Sequence, residues 1–415
     1  MTPDRLGLRA LNRATLERQL LLRRSALTAG QAVAHLAGMQ AQAPLAPYVG
    51  LWTRLAAFRP HQLEKIFTER AVVRAHLMRN TVHLITAQDF ARFRPLYQPM
   101  MERALAGHFG RNLAGVDLAE LASVAAGLLG RTALTRVQLA AALAPRWPDH
   151  EPASLAYAAS HLLPLVQVPP RGLWKQAGPA AFMLAEAWLN GQPPSGPAPP
   201  LAAPARSTIL EQLALRYLAA YGPASVADVQ TWSGLTRLRE VTERLTAGPR
   251  PRLRAFAGPD GARLLDLPDA PRPDPGVPAP PRFLPEYDNL LLSFAERTRV
   301  IPHRRPVPLP PGHGATGGTL LVDGLWQADW KIIAGDARAV LEIQPFAELS
   351  AADRDAIAAE GERLLEFATP AGTSGDIRFG PLRSGSLRDP GPQQAGQGFT
   401  VGAWTTRRSW LTSTS

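Results

Sequence analysis

Three times along this chain the same local chemistry opens a short helix: a hydroxyl residue followed three positions later by Gln or Asp. Thr28 with Gln31, Thr135 with Gln138, and Ser225 with Asp228 have the spacing of a capping box. In such a box each side chain satisfies a backbone N–H that the first helical turn leaves unpaired. The stretches opened by the first two, LTAGQAVAHLAG and LTRVQLAAALAP, resemble each other closely, and the third stops at Gly234. Around each box the periodicity predicts one order: helix, capped short helix, second helix, β-hairpin.

In the first copy, Arg5 to Arg24 is expected as an amphipathic helix and Pro60 to Leu77 as a second long helix, with Asn80 to Ile85 as a strand. In the second, Leu165 to Gln176 is expected to turn at Pro169–Gly172; in the third, Leu253 to Leu267 turns around Pro259-Asp260-Gly261. A helix-turn-helix followed by a hairpin is the order that winged-helix modules use on DNA. The fold class is therefore read as α+β, with three tandem winged-helix modules at 1–104, 105–190 and 206–268, joined by a Pro/Gly/Ala linker at 191–205. Beyond Pro268 the character changes. Phe283 to Phe294 is expected to be extended, and Gly318 to Ile333 a hairpin whose Trp326, Ala328, Trp330 and Ile332 share one face. A small β-barrel-like domain with a closing helix is expected at 269–370 and a disordered tail at 371–415.

A chain of 415 residues without cysteine has no disulfide, thiolate nucleophile or cysteine metal site. Nine scattered histidines lack ligand spacing, so neither metal nor cofactor is expected. The HGATGG run at His313–Gly318 lacks the lysine of a phosphate-binding loop. No charge-free apolar run is long enough to span a membrane and the N-terminus is charged throughout, so a cytoplasmic protein is expected. The net charge of +11 rests on arginine, Lys65, Lys175 and Lys331 being the only lysines. That excess suits phosphate contact, and it equally suits a GC-rich coding sequence.

Between Gly38, a left-handed helix stop, and Pro44, the chain MQAQAP is expected to be extended. Gln40 and Gln42 then point to one side, and two carboxamides aimed at one spot can hold a water or a polar ligand; satisfying backbone groups at a helix end is the other use of such a pair. Arg79, Asn80 and His83 stand where they can reach phosphate, though His83 between Val82 and Leu84 also suits a sheet interior. Arg171 and Lys175 in the second hairpin suit phosphate or plain solvation. Glu286 and Asp288 are expected to make structural hydrogen bonds and not to form a catalytic carboxylate pair.

Taken in order, MQAQAP, LWTRLAAF, RAHLMRNTVHLI, LPEYDNLLLSFAERTRVI and GTLLVDGLWQADWKI resemble the winged-helix DNA glycosylases of the AlkZ and YcaQ type, from about residue 8 to about residue 370. The resemblance implies a monofunctional DNA N-glycosylase that hydrolyses the N-glycosidic bond of bulky N7-alkylated purines in duplex DNA. It further implies links to self-resistance against DNA-alkylating antibiotics and to unhooking of interstrand crosslinks. The family's catalytic motif is Gln, an apolar residue, then Gln or Asp, which puts the catalytic role on Gln40 and Gln42. A monomer with no obligate protein partner is the expectation. A non-enzymatic winged-helix protein, either a transcriptional regulator or a shield that binds adducts, is the alternative reading.

Overall fold

The computed structural model describes residues 4–190, 203–305, 318–334 and 338–382. All three capping boxes form. The Thr28 hydroxyl accepts from Gln31 N at 3.3 Å while Gln31 Oε1 accepts from Thr28 N at 2.9 Å. The reciprocal pairs are 3.2 and 2.8 Å at Thr135/Gln138, and 3.1 and 2.8 Å at Ser225/Asp228. The expected order then recurs with little change in the second and third units. The second runs Leu118–Leu129, capped Arg136–Leu143, Pro152–Leu162, then strands Leu165–Val168 and Ala181–Leu184. The third runs Ala203–Tyr221, capped Val226–Ser233, Arg239–Thr246, then strands Arg254–Ala257 and Arg263–Asp266.

The first unit departs from that order. Its opening helix is shorter than expected, Leu8–Arg18, and ends before Leu20, which has φ +58°. Between its capped helix, Ala29–His35, and its next regular helix, Pro60–Thr68, it carries an extra two-residue strand, Met39–Gln40, and an extra helix, Ala46–Arg54. The Pro60 helix does not continue to Leu77. Arg70 adopts φ +65°, and the β-branched pair Val72-Val73 starts a strand, Val72–His76, that pairs with Val82–Thr86. In the second unit, Leu173–Gln176 is not the return strand. Gly172, Lys175 and Gly178 all have positive φ, so 169–180 is a loop and the return strand waits until Ala181.

The units are not independent beads. One six-stranded sheet runs Met39–Gln40, Val82–Thr86, Val72–His76, Leu165–Val168, Ala181–Leu184, Leu134–Thr135, and it fuses the first two hairpins through Arg74↔Gln167 and Ala75↔Val166. The long helix Ala87–Phe109 crosses the boundary expected at 104. One apolar core joins Ile85, Tyr217, Trp232, Leu290 and Trp326, so the first unit, the third unit and the C-terminal sheet bury a common interior. Arginine–aspartate pairs lie at that junction. Arg18 pairs with Asp266 through two bonds of 2.6 and 2.8 Å, and Arg216 pairs with Asp89 at 2.8 and 3.1 Å.

The C-terminal part is an open sheet and not a barrel. Its order is Ser374–Phe379, Arg338–Pro345, Leu325–Ala334, Gly318–Val322, Arg282–Leu284, and the two edge strands do not pair with each other. Helix Ala351–Ala368 lies against the sheet, where Ile357, Leu364, Leu365 and Ala368 cover Phe283, Trp330, Leu341 and Ile343. A register shift between Leu320 and Leu321 sends Leu321 and Trp326 into the common core, while Leu320, Ala328 and Trp330 stay under the helix. The sheet extends past residue 370, since Ser374–Phe379 pairs in parallel with Arg338–Ile343. The run expected to be extended after Phe283 turns into a short helix, Asn289–Leu292, because Asp288 caps it by accepting from Leu290 N at 3.0 Å. Of the linker, 203–205 are helical and 191–202 lie outside the described residues, as do 383–415 of the tail and most of the HGATGG run. No helix among the described residues is long and apolar enough to cross a membrane.

Candidate active site

The helix that Thr28 caps ends at His35, and Ala37 and Gly38 follow at φ +55° and +97°. A Cβ on Gly38 would stand 3.3 Å from Leu84 O, so glycine lets the chain turn tightly against the neighbouring strand. Met39 and Gln40 then pair with Leu84 and His83, and Ala41 N donates to Val82 O at 2.8 Å. Pairing ends there, and the extended stretch is shorter than the spacing predicts.

The two glutamines nevertheless meet the same hairpin. Gln40 is 6% exposed, and its Oε1 accepts from Arg79 Nη2 at 2.7 Å. Gln42 is exposed, and its Oε1 accepts from Val82 N at 3.3 Å. Both donors can only donate, which assigns each carboxamide oxygen without ambiguity. Neither amide nitrogen has a hydrogen-bond partner among the described residues, and that of Gln40 is not sealed from solvent. Ala41 between them is fully buried beneath the strand. A cavity of about 10 Å³ lies between Gln40, Gln19, Arg54, Tyr221, Asp288 and Asn289, room for about one water.

Two arginines hold this motif. Arg79, at φ +54° in the turn of the hairpin, aims its guanidinium inward, to Gln40, to Asn289 Oδ1 at 2.9 Å and to the Trp232 carbonyl. Burial pushes its pKa down to about 10, so it stays charged at neutral pH. Arg74, buried in the adjoining strand, donates to Ala41 O at 2.9 Å and Pro44 O at 3.3 Å, which braces the backbone on both sides of Gln42. Its pKa is also pushed down to about 10, by burial and then by Arg171.

Of the residues expected to reach phosphate, three face inward. Arg79 is occupied as described. Asn80 is half-buried, with Nδ2 at 3.3 Å from Nε2 of the buried His161. His83 is fully buried with Nδ1 at 3.0 Å from Thr81 O, so it carries its proton on Nδ1; its sealed Nε2 has no partner among the described residues. Burial and then the Arg79 charge hold its pKa down at about 3, which makes it a neutral interior histidine. Arg171 and Lys175 lie on the second unit's loop. Arg171 Nη1 donates to Gly178 O at 2.7 Å, and Lys175 is exposed. That loop abuts the motif, because a Cβ on Gly172 would meet Arg74 Cδ at 2.7 Å.

Asp288 is structural, as expected. Both its oxygens accept from Arg54 at 2.9 Å, and Arg54 also donates to Gly50 O and Gln19 O. Among the described residues no group of three His, Cys, Asp or Glu assembles as a metal site. The sequence reading missed Arg74, Arg54 and Asn289. A lone arginine inside the apolar run VVRAH was the available signal for the first; Asn289 had none beyond its place beside Asp288.

A search of curated proteins finds no match. Among solved structures, the Streptomyces sahachiroi DNA glycosylase AlkZ is similar in fold, with a TM-score of 0.72 and 18% identity over 90% of this chain and 100% of that one. The family model described as DNA glycosylase AlkZ-like matches residues 33–367, from just before the glutamine motif to the end of the closing helix. The chain thus belongs to the AlkZ-like DNA glycosylase family.

Proposed function

We propose that the protein hydrolyses the N-glycosidic bond of bulky N7-alkylated purines in duplex DNA, with Gln40 and Gln42 positioning the attacking water. The observation that carries this reading is that each carboxamide of the pair is held by its oxygen, while the one carboxylate lining the cavity beside Gln40, that of Asp288, is already locked onto Arg54. A carboxamide is no general base at neutral pH, but each fixed oxygen keeps a second lone pair and each NH2 remains a donor. Such a site suits a substrate whose base leaves unaided. Alkylation at N7 supplies that, since the electron pair of the C1′–N9 bond neutralises the departing cationic base. The oxocarbenium-like sugar then takes the water oxygen, and the extra proton goes to solvent. Fixing the water contributes several kcal/mol, roughly, as an orientation effect.

Lys65, Lys175 and Lys331 are the only lysines and none belongs to the motif or its contacts, which favours plain hydrolysis over Schiff-base lyase chemistry. We read the three helix–capped helix–helix–hairpin units as winged helices that hold the duplex by its backbone, with Arg171 and Lys175 among the phosphate contacts. The test is abasic-site formation, seen as alkaline strand cleavage, on duplexes carrying small or bulky N7-alkylguanine or an interstrand crosslink. Wild type is expected to release cationic bases well above the spontaneous rate and to spare neutral ones, with Gln40→Ala or Gln42→Ala crippled while still binding. Release of neutral modified bases at a comparable rate sinks the water-positioning reading.

A further inference from the structure

We infer that Arg79 is a positioning residue that sets the orientation of the Gln40 carboxamide, and not a ligand of DNA phosphate. The inference rests on the water-positioning reading of Gln40. A guanidinium has only donors, so whatever faces it must present an acceptor. Arg79 Nη2 donates to Gln40 Oε1 at 2.7 Å and to Asn289 Oδ1 at 2.9 Å, and Nη1 donates to the Trp232 carbonyl. Gln40 must therefore turn its oxygen inward and its NH2 away. Rotation of the amide by half a turn would place two donor groups against each other, so the charge of Arg79 excludes that flipped state.

Three separate segments are shaped to hold this guanidinium where it is. Arg79 and Asn80 both take left-handed backbone, at φ +54° and +55°, which turns the arginine toward the protein interior. The third unit's capped helix stops at Gly234, φ +74°, where a Cβ would stand 3.0 Å from Arg79 N and 3.1 Å from its Cα. Asn289 opens the short helix that Asp288 caps, and Asp288 is itself fixed by Arg54. An arginine meant for phosphate would need none of this, and would keep its guanidinium at the surface.

The test separates the single-turnover excision rate from DNA affinity and its salt dependence, on one N7-alkylguanine duplex. Arg79→Met is expected to lower the rate by about 10- to 100-fold through misplacement of Gln40. Affinity and salt slope should stay unchanged, and in a Gln40→Ala background the same substitution should cause no further loss. A phosphate ligand would behave otherwise, with weaker binding and a salt slope reduced by about 1. That pattern, or losses that multiply with Gln40→Ala, overturns the inference. Should Arg79→Met fail to fold, Asn289→Ala keeps the charge while removing one acceptor. It is expected to lower the rate about 3- to 10-fold at unchanged affinity, in line with the net worth of one lost hydrogen bond, and an unchanged rate overturns the inference. Full activity of Gln40→Ala by itself sinks the underlying reading and this one with it. An inactive Gln40→Ala beside a fully active Arg79→Met sinks this one alone.

Discussion

The first and third units begin alike and end up packing against one hairpin at different points. Each has a capped short helix followed by a left-handed glycine, Gly234 at φ +74° at the helix end itself and Gly38 at φ +97° just after a left-handed Ala37. In the third unit the chain proceeds to its next helix, and Gly234 backs onto Arg79 at the hairpin turn. In the first, Gly38 packs against Leu84 of the same hairpin and releases the extra strand and helix that carry Gln40 and Gln42. Two glycine-containing helix stops thus have two different uses, and the difference lies in what the first unit inserts after its stop.

Breaking the anchor of that insertion should have the largest effect. Arg54→Met removes the charge partner of the buried Asp288, and is expected to cost about 3–5 kcal/mol of unfolding free energy in a denaturant titration. A loss below about 1 kcal/mol would mean that the insertion is held by packing alone. Next come the glycines. Gly234→Ala forces a Cβ onto the Arg79 backbone at positive φ and is expected to cost about 2 kcal/mol. Gly38→Ala should cost about 1–2 kcal/mol, since its nearest contact is looser at 3.3 Å.

The shared hairpin also carries two histidines, His83 fully buried and His76 half-buried. His76 is held down at about 4, by burial and then by Arg136, His161 and Arg94, and His83 is held at about 3, by burial and then by Arg79. An unfolded chain takes up these protons near pH 6.5, whereas the folded one refuses them until well below. Stability is therefore expected to fall as pH drops from about 6.5 toward 4, by about 1.4 kcal/mol per pH unit for each histidine. His83→Phe should remove one proton's worth of that slope in denaturation curves taken across the window; an unaltered slope would show that His83 titrates normally. The smallest effects belong to the caps. Thr28→Ala and Thr135→Ala should each cost about 1 kcal/mol. Only Thr28→Ala should also slow excision, because only that helix leads into the glutamines.

What could be read from residues alone was what is local. The three boxes, the glycine stops and the third hairpin depend on neighbours within a few positions, and they form as expected. The length of the Pro60 helix, the second hairpin's return strand and the presumed barrel depended on pairing partners far along the chain, and there the expectations failed. Gln40 and Gln42 were singled out by spacing and resemblance, but period-two geometry is not what ties them to the protein. Each oxygen is fixed by an N–H from the 72–86 hairpin, and no window around residue 40 contains that information. Nor does the arginine count say how many face solvent: Arg13, Arg18, Arg54, Arg74, Arg94, Arg282 and Arg299 are buried, several as braces of the interior.

The fused sheet bears on how the protein comes off the ribosome. Arg74 pairs with Leu84 inside its own hairpin but meets its second strand partner only at Gln167, and Arg79, which also donates to Gln40 and Trp232, meets its last acceptor at Asn289, 210 residues further on. The glutamine motif is translated in about the first tenth of the chain, but its last contact, at Asn289, comes only after more than half of it has emerged. Its geometry is thus a late event in synthesis, governed by the slow closing of distant contacts.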